Sequence, residues 1–351
     1  MKLLMVTQKI DADDDILGVY HEWAREIAGS FEKLSVICLY RGRIDLPEDI
    51  RIFSLGKELK QSRFFYSKNF YKYIWSLRND YDAVFVHMNP IYVVLGFLLW
   101  RMMGKKIFMW YAHPGRNMLV RLACMLSDKV ITSVPEAFYA RTKKILAIGQ
   151  GIDTEKFKAP SSKLQVPNSI LYLGRISSAK RVDVLLGAVR LLKSEGINLP
   201  VSIVGDPSDA YGGKEYYERM RAFVASNDLS DTVSFEGSVP NYRTPDIYNK
   251  YGIFVNLSPT GYFDKTVLEA MACECVVIAS NDAYRSIFPR DRHDLLLFKQ
   301  GDAKDLARKI KKVAELSSSD KKTISKKLRE IVAQEHSLFT LGERLKHAFL
   351  S

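Results

Sequence analysis

The chain has 351 residues, 47% of them hydrophobic and 26% charged, and a net charge of +12. That length accommodates about two domains with sizeable cores. No uncharged run reaches the roughly 20 residues of a membrane-spanning helix. The basic balance suits anionic partners such as nucleic acid, acidic lipids or phosphorylated substrates, but no zinc-finger, homeodomain or RNA-recognition pattern accompanies it.

Met1 to Val6 is apolar and gives way at once to Thr7-Gln8-Lys9. That run is too short for the core of a signal peptide and suits a first strand. Strand candidates in the first half are Lys2–Val6, Leu34–Leu39, Ala83–His87, Ile107–Tyr111, Lys129–Ser133 and Ile145–Ile148. In the second half they are Ile170–Leu173, Val201–Val204, Val233–Glu236, Ile253–Leu257, Val276–Ala279 and Leu295–Phe298. Continuous apolar strands separated by helical patterns indicate parallel sheets covered on both faces. Tyr20, Trp23, Ala24, Ile27 and Ala28 share one helical face, as do Val182, Leu185, Leu186, Val189 and Leu192, and both stripes read as core. Ile91 to Trp100 reads as a buried helix. Pro160-Ser161-Ser162-Lys163 and Pro167-Asn168 suggest a boundary near 153–168. The tail from Asp302 is helical, with pauses at Ser317-Ser318-Ser319-Asp320 and His336-Ser337. The expected architecture is two doubly wound α/β domains with a cleft between them, 1–152 and 153–337.

Four cysteines lie in apolar or small-residue surroundings, and the Cys273-x-Cys275 pair lacks a second pair for zinc. A reduced, cytoplasmic compartment is expected. Asp11 to Asp15 contains an Asp-x-Asp in the first loop and reads as a solvated acidic turn. Residues 60–78 hold seven aromatic and five basic residues and no acidic one, with Tyr66, Phe70, Tyr73, Ile74 and Leu77 on one helical face. Two readings stand side by side: a helix packed on the first sheet with a cationic outer side, or attachment to an anionic membrane on its inner face.

Two segments carry chemistry. In Leu171-Tyr172-Leu173-Gly174-Arg175-Ile176-Ser177-Ser178-Ala179-Lys180 a strand runs into a glycine and a loop before a helix. Two cations at such a place, with backbone amides, can hold a diphosphate. In Asn256-Leu257-Ser258-Pro259-Thr260-Gly261-Tyr262-Phe263-Asp264-Lys265-Thr266-Val267-Leu268-Glu269 a strand ends and a helix begins near Lys265. Glu269, one turn in, can accept hydrogen bonds from ribose hydroxyls.

Together these segments resemble the family 4 glycosyltransferases of the GT-B fold, whose C-terminal domain carries a Gly-Arg…Lys loop and a Glu-x7-Glu motif ending in Leu-Glu-Ala-Met-Ala-Cys-Gly. Val204-Gly205, Val233-Ser234-Phe235-Glu236-Gly237-Ser238-Val239 and Gly149-Gln150-Gly151-Ile152-Asp153…Phe157 resemble further segments of that family. The resemblance implies a retaining transfer of a hexose-type sugar from a UDP- or GDP-sugar to a glycan or lipid-linked hydroxyl, with no cofactor, no metal and no nucleic-acid partner. It implies that Arg175 and Lys180 bind the diphosphate, that Glu269 binds the ribose, and that His113 lies near the donor sugar and its phosphate. Gly18 matches the glycine-containing first loop whose amides approach the diphosphate or the acceptor, Gly174 belongs to the Gly-Arg…Lys loop, and Gly205, Phe263 and Thr266 fall within the donor-binding segments. The resemblance also implies that the C-terminal helix, 338–351, packs back on the first domain. The first motif Glu falls at Gly261, so Asp264, Lys265 or the loop amides take its place. Glu274 and Val276 replace the family's Gly and Pro. A nucleotide-sugar epimerase on the same fold, a non-catalytic nucleotide-sugar-binding subunit and a nucleic-acid-binding protein are the alternatives.

Overall fold

The structure, a computed structural model, describes residues 1–351 apart from 15, 16, 61, 114, 116, 139–142, 161–165 and 209–211. Asp15 and Ile16 of the first loop, Gln61 of the basic-aromatic segment, Pro114 after His113, and Ser161, Ser162 and Lys163 of the expected boundary therefore lie outside the described residues. The chain divides into two compact units, Met1–Gly151 with His336–Ser351, and Ile152–Glu335.

The first unit is built on a seven-stranded parallel sheet. Its strands are β1 (Lys2–Ile10), β2 (Lys33–Arg41), β3 (Arg51–Ser54), β4 (Ala83–His87), β5 (Lys106–Trp110), β6 (Lys129–Thr132) and β7 (Ile145–Ala147), in the order β3-β2-β1-β4-β5-β6-β7. Helices α1 (Val19–Ala28), α2 (Arg63–Ser76), α3 (Pro90–Met102) and α4 (Met118–Leu126) connect them. Alternate β1 side chains feed two cores. Leu3 and Met5 pack with Trp23 and Ile27 of α1, while Leu4 and Val6 pack with Phe70 and Ile74 of α2 and Trp100 of α3. Burial on both faces is why β1 reads as an unbroken apolar run.

The second unit holds a five-stranded parallel sheet, β8 (Val166–Leu173), β9 (Val201–Val204), β10 (Val233–Gly237), β11 (Tyr251–Asn256) and β12 (Val276–Ala279), in the order β10-β9-β8-β11-β12. Its helices are α5 (Val182–Ser194), α6 (Gly213–Ser226), α7 (Thr244–Tyr248), α8 (Lys265–Ala272), α9 (His293–Leu296), α10 (Ala303–Glu315) and α11 (Ser318–Glu335). The last helix, α12 (Leu341–Leu350), belongs to the first unit, where Phe349 stacks on Phe108 with centroids 4.0 Å apart. Arg344 of α12 donates to the carbonyls of Ile148, Gln150 and Ser337. His336 Nδ1 accepts the Gln150 N–H at 3.0 Å, and burial pulls this imidazole down to about 4.

Three expectations need correction. Leu295–Phe298 is not a strand: Leu295 and Leu296 end α9, and the chain just beyond meets the sheet through a single bridge between Leu297 and Ala279. A short apolar run does not by itself separate a strand from a helix end. β3 has no counterpart among the expected strands, because Arg-Ile-Phe-Ser is a short, half-buried edge. The helix at Ile91–Trp100 is α3, buried along one side at Tyr92, Val93 and Trp100 but exposed at Leu98 and Met102. No helix among the described residues is long and apolar enough to cross a membrane.

Glu274, which follows α8, adopts φ +57°, a left-handed conformation that glycine tolerates better. Glu274→Gly should therefore stabilise the second unit by up to about 1 kcal/mol, after the entropy that glycine adds to the unfolded chain. Thermal unfolding should register a rise of about 2–4 °C.

Candidate functional site

Each sheet reverses its strand order once. In the second unit the chain lays β9 and β10 to one side of β8, then returns to place β11 and β12 on the other. The connections leaving the carboxyl ends of β8 and β11 diverge, and ligands of such sheets bind in the crevice this creates. Residues 174–181 leave β8 and residues 257–264 leave β11. Gly205, at the end of β9 with φ +140°, presses against this place so closely that a Cβ on it would overlap the Gly174 carbonyl oxygen.

The two connections meet through Lys180. Its ammonium donates to both Asp264 carboxylate oxygens, at 2.7 and 2.8 Å, and to the Ser258 hydroxyl at 2.9 Å. All three of its N–H donors are thereby committed. Asn256 Nδ2 donates to the same carboxylate at 3.0 Å, and the Ser258 hydroxyl donates to it as well. The Lys180 and Asp264 side chains keep 19% and 21% of their accessible surface. Burial acts to raise the Asp264 carboxyl, but the Lys180 charge and the hydrogen bonds from Lys180, Ser258 and Asn256 outweigh it and hold the group below its usual range. Tyr284 clamps the backbone here, its hydroxyl 3.2 Å from both the N–H and the carbonyl oxygen of Asp264.

Helix α8 starts at this point. Lys265 and Glu269 are four residues apart and share a face of it. Tyr248 donates its hydroxyl to Glu269 Oε2 at 2.9 Å. Burial pushes Glu269 up, against the opposing Lys265 charge, the Tyr248 hydrogen bond and the Lys156 charge. Burial likewise pushes Lys265 down, against the Glu269 carboxylate. The first-turn amides of α8 add positive potential. Arg175 is exposed, with its carbonyl accepting the Tyr172 hydroxyl at 3.0 Å. The cluster thus sets cations and helix-start amides beside a carboxylate, a pattern suited to a diphosphate attached to a hydroxylated group.

In the first unit the strand order reverses between β1 and β4. Gly18 ends the connection after β1, and a Cβ there would overlap the Asp14 carbonyl. Of the acidic first loop, Asp11 and Asp14 accept from Lys9 at 3.0 and 2.6 Å, and Asp13 accepts from Arg43 at 2.9 Å. His113 is exposed after β5, and its Nδ1 accepts the Gly115 N–H at 3.0 Å.

Residues 153–330, just over half the chain, match the family described as Glycosyl transferases group 1. The chain belongs to the group 1 glycosyl transferases. This glycosyl transferase is 25% identical to the capsular polysaccharide biosynthesis glycosyltransferase CapM of Staphylococcus aureus, over 76% of this chain and 72% of that protein. It is 27% identical to a D-inositol 3-phosphate glycosyltransferase of Streptomyces bingchenggensis, over 54% of this chain and only 45% of that relative's length. Among solved structures, Anabaena Alr3699/HepE in complex with UDP matches with a TM-score of 0.78, 17% identity and full coverage, 100%, of both chains. The fold is of the GT-B class.

In this group 1 glycosyl transferase, Gly174, Arg175, Lys180, Gly205, Gly261, Phe263, Asp264, Lys265, Thr266 and Glu269 all fall in the second unit, on connections beyond strand ends or on the opening of α8. His113 and Gly18 belong to the first unit. Gly261 has φ +103°, which a glutamate adopts only under strain, so the loop is built for glycine at that place. Asp264 is bonded to Lys180, and Lys265 faces Glu269. Sequence reasoning gave no partner role to Asn256, Ser258, Tyr248 or Tyr284. Asn256 and Ser258 carried a signal, as polar residues at the end of a buried strand; the two tyrosines carried none.

Proposed function

We propose that the protein transfers a hexose-type sugar from a nucleoside diphosphate sugar to the hydroxyl of a glycan or lipid-linked acceptor, with retention at the anomeric carbon and without a metal. The observation that carries this is the partly buried cluster of Lys180, Asp264, Lys265 and Glu269 at the switch point of the second sheet, with Arg175 on the adjoining loop. HepE in complex with UDP and with UDP-glucose, on the same fold, supports a uridine nucleotide as the first donor to test. CapM, a capsular polysaccharide enzyme, supports a glycan acceptor.

In this reading Glu269 accepts the ribose hydroxyls, and Arg175, Lys180 and the α8 amides hold the diphosphate. The bond from the anomeric carbon to the phosphate oxygen breaks, and the acceptor oxygen bonds to that carbon on the same face. The acceptor proton passes to the leaving phosphate oxygen. Stabilising charge on that leaving group supplies most of the rate enhancement. Because Lys180 is already bonded to Asp264, the diphosphate shares this ammonium with the carboxylate or displaces it.

A thermal-shift screen against UDP, GDP, ADP and their sugars tests the reading. A ligand at about 100 times its Kd stabilises by about 2.7 kcal/mol, so the preferred base should raise the unfolding temperature by several degrees. No response to any nucleotide sinks the proposal. Release of free epimerised sugar without an acceptor would instead assign the epimerase reaction. Turnover unaffected by a chelator is the expected result for a metal-free site.

A further inference from the structure

We propose that the outer face of α2, α3 and α4 is a docking surface for an anionic lipid bilayer, and that it inserts apolar side chains as well as adsorbing by charge. Of sixteen large hydrophobic side chains exposed among the described residues, eleven lie between Leu59 and Met125. Leu59 lies in the turn before α2, and the other ten stand on the sides of the three helices turned away from one shared core. Phe64 and Trp75 of α2 are 74% and 53% exposed, and Leu98 and Met102 of α3 are 73% and 83% exposed. Met118 and Met125 continue the patch on α4.

The three helices are neighbours. The Tyr71 hydroxyl of α2 donates to the Leu95 carbonyl of α3 at 2.9 Å, Phe70 packs edge-on against Trp100, and α3 packs on α4. All three lie on one face of the same sheet, so their outer sides form one broad surface. Scattered apolar side chains need no explanation, but a contiguous patch on this scale marks an interaction site.

Charge selects the partner. The three helices contain no acidic residue, while Arg63, Lys68, Lys72 and Arg121 project from them. None of these four forms an ion pair among the described residues. Protein interfaces deplete lysine and mix both signs of charge. Aromatic, leucine and methionine side chains interleaved with unpaired cations instead match an interface of anionic headgroups over hydrocarbon. None of these residues belongs to the candidate donor site, so the inference stands apart from the donor reading.

The test is flotation of the full chain with vesicles of phosphatidylglycerol or of phosphatidylcholine. The chain should float with the anionic vesicles and not with the zwitterionic ones. Each basic residue near an anionic surface is worth roughly fivefold in partitioning, so Arg63→Glu/Lys68→Glu/Lys72→Glu should weaken binding by at least about 100-fold. Leu98→Ser/Met102→Ser should retain binding at low salt and lose it at high salt. Trp75 is a built-in reporter, because the other three tryptophans, Trp23, Trp100 and Trp110, are at most 2% exposed. Its emission should shift to the blue on anionic vesicles and be quenched by brominated lipid.

Three results would overturn the inference: no flotation with anionic vesicles at low salt, flotation with unchanged Trp75 emission, or a wild-type dimer in solution that Leu98→Ser/Met102→Ser makes monomeric. Nucleotide thermal shifts on the same variants report their folding. They also keep the two proposals separate, since a chain that floats but ignores nucleotides removes the donor reading alone.

Discussion

Lys180→Ala should lower sugar-transfer turnover about 10²–10³-fold, the loss typical of removing one donor that stabilises developing negative charge. It should also lower the unfolding temperature of the second unit, because Asp264 would keep its carboxylate in a partly buried place without a cation. Breaking a buried ion pair costs about 3–5 kcal/mol. The one-fifth exposure of Lys180 and Asp264 reduces that to about 2–3 kcal/mol, or about 5–10 °C for a unit of this size. Adding Asp264→Asn removes the stranded charge and should restore most of the stability. It should not restore turnover, and a double variant that regains both would remove Lys180 from the chemistry. Acid unfolding gives a second handle. The Asp264 carboxyl is held below its unfolded value, so its contribution is fully present above the unfolded carboxylate range, near pH 4, and is lost as pH falls through the lower folded value. The acid limb of the wild type should be steeper than that of Asp264→Asn.

Glu269→Ala should weaken nucleoside diphosphate binding about 10–100-fold by calorimetry, the value of one or two hydrogen bonds to a charged acceptor. The discriminating measurement is the ratio of affinities for a nucleotide and its deoxyribose analogues. The wild type should prefer the ribose form, and Glu269→Ala should bind both alike. A ratio unchanged by the substitution would take Glu269 out of the ribose site. The sign of its titration is opposite to that of Asp264. Burial raises the Glu269 carboxyl, so its contribution to stability is present below the unfolded carboxylate range and is lost as pH rises through the raised folded value. Nucleotide affinity should move the other way, rising with pH as the ionised acceptor forms.

The strands buried on both faces were legible in the sequence, because each is a continuous apolar run such as Leu3-Leu4-Met5-Val6 or Val276-Val277-Ile278-Ala279. β3 was not, since an edge strand needs apolar residues on neither face in full. The run at Leu295–Phe298 misled because a helix end laid against β12 also buries consecutive leucines. Within the candidate site, the positions of Gly174, Arg175, Lys180 and Glu269 followed from where glycines and charges fall beyond strand ends. The bond between Lys180 and Asp264 did not follow. It joins residues 84 apart, and nothing local to either sets its partner. Tyr248 and Tyr284 approach from α7 and from the segment after β12, elements whose side of the sheet only the tertiary path decides. The same holds for the outer face of α3, where an almost wholly apolar helix reads as buried until its neighbours are known.

The assignment of His336–Ser351 to the first unit also dictates an order of events during synthesis. The sheet made first on the ribosome cannot close its core until α12 emerges, because Leu341, Leu345 and Phe349 are part of that core. The unit at Ile152–Glu335 is contiguous and can fold while the earlier one waits. Until then the face of β4 and β5 that Phe349 covers, at Phe85 and Phe108, is open to solvent, and a stall or cut before residue 336 would release a chain with its second unit folded and its first unit unfinished.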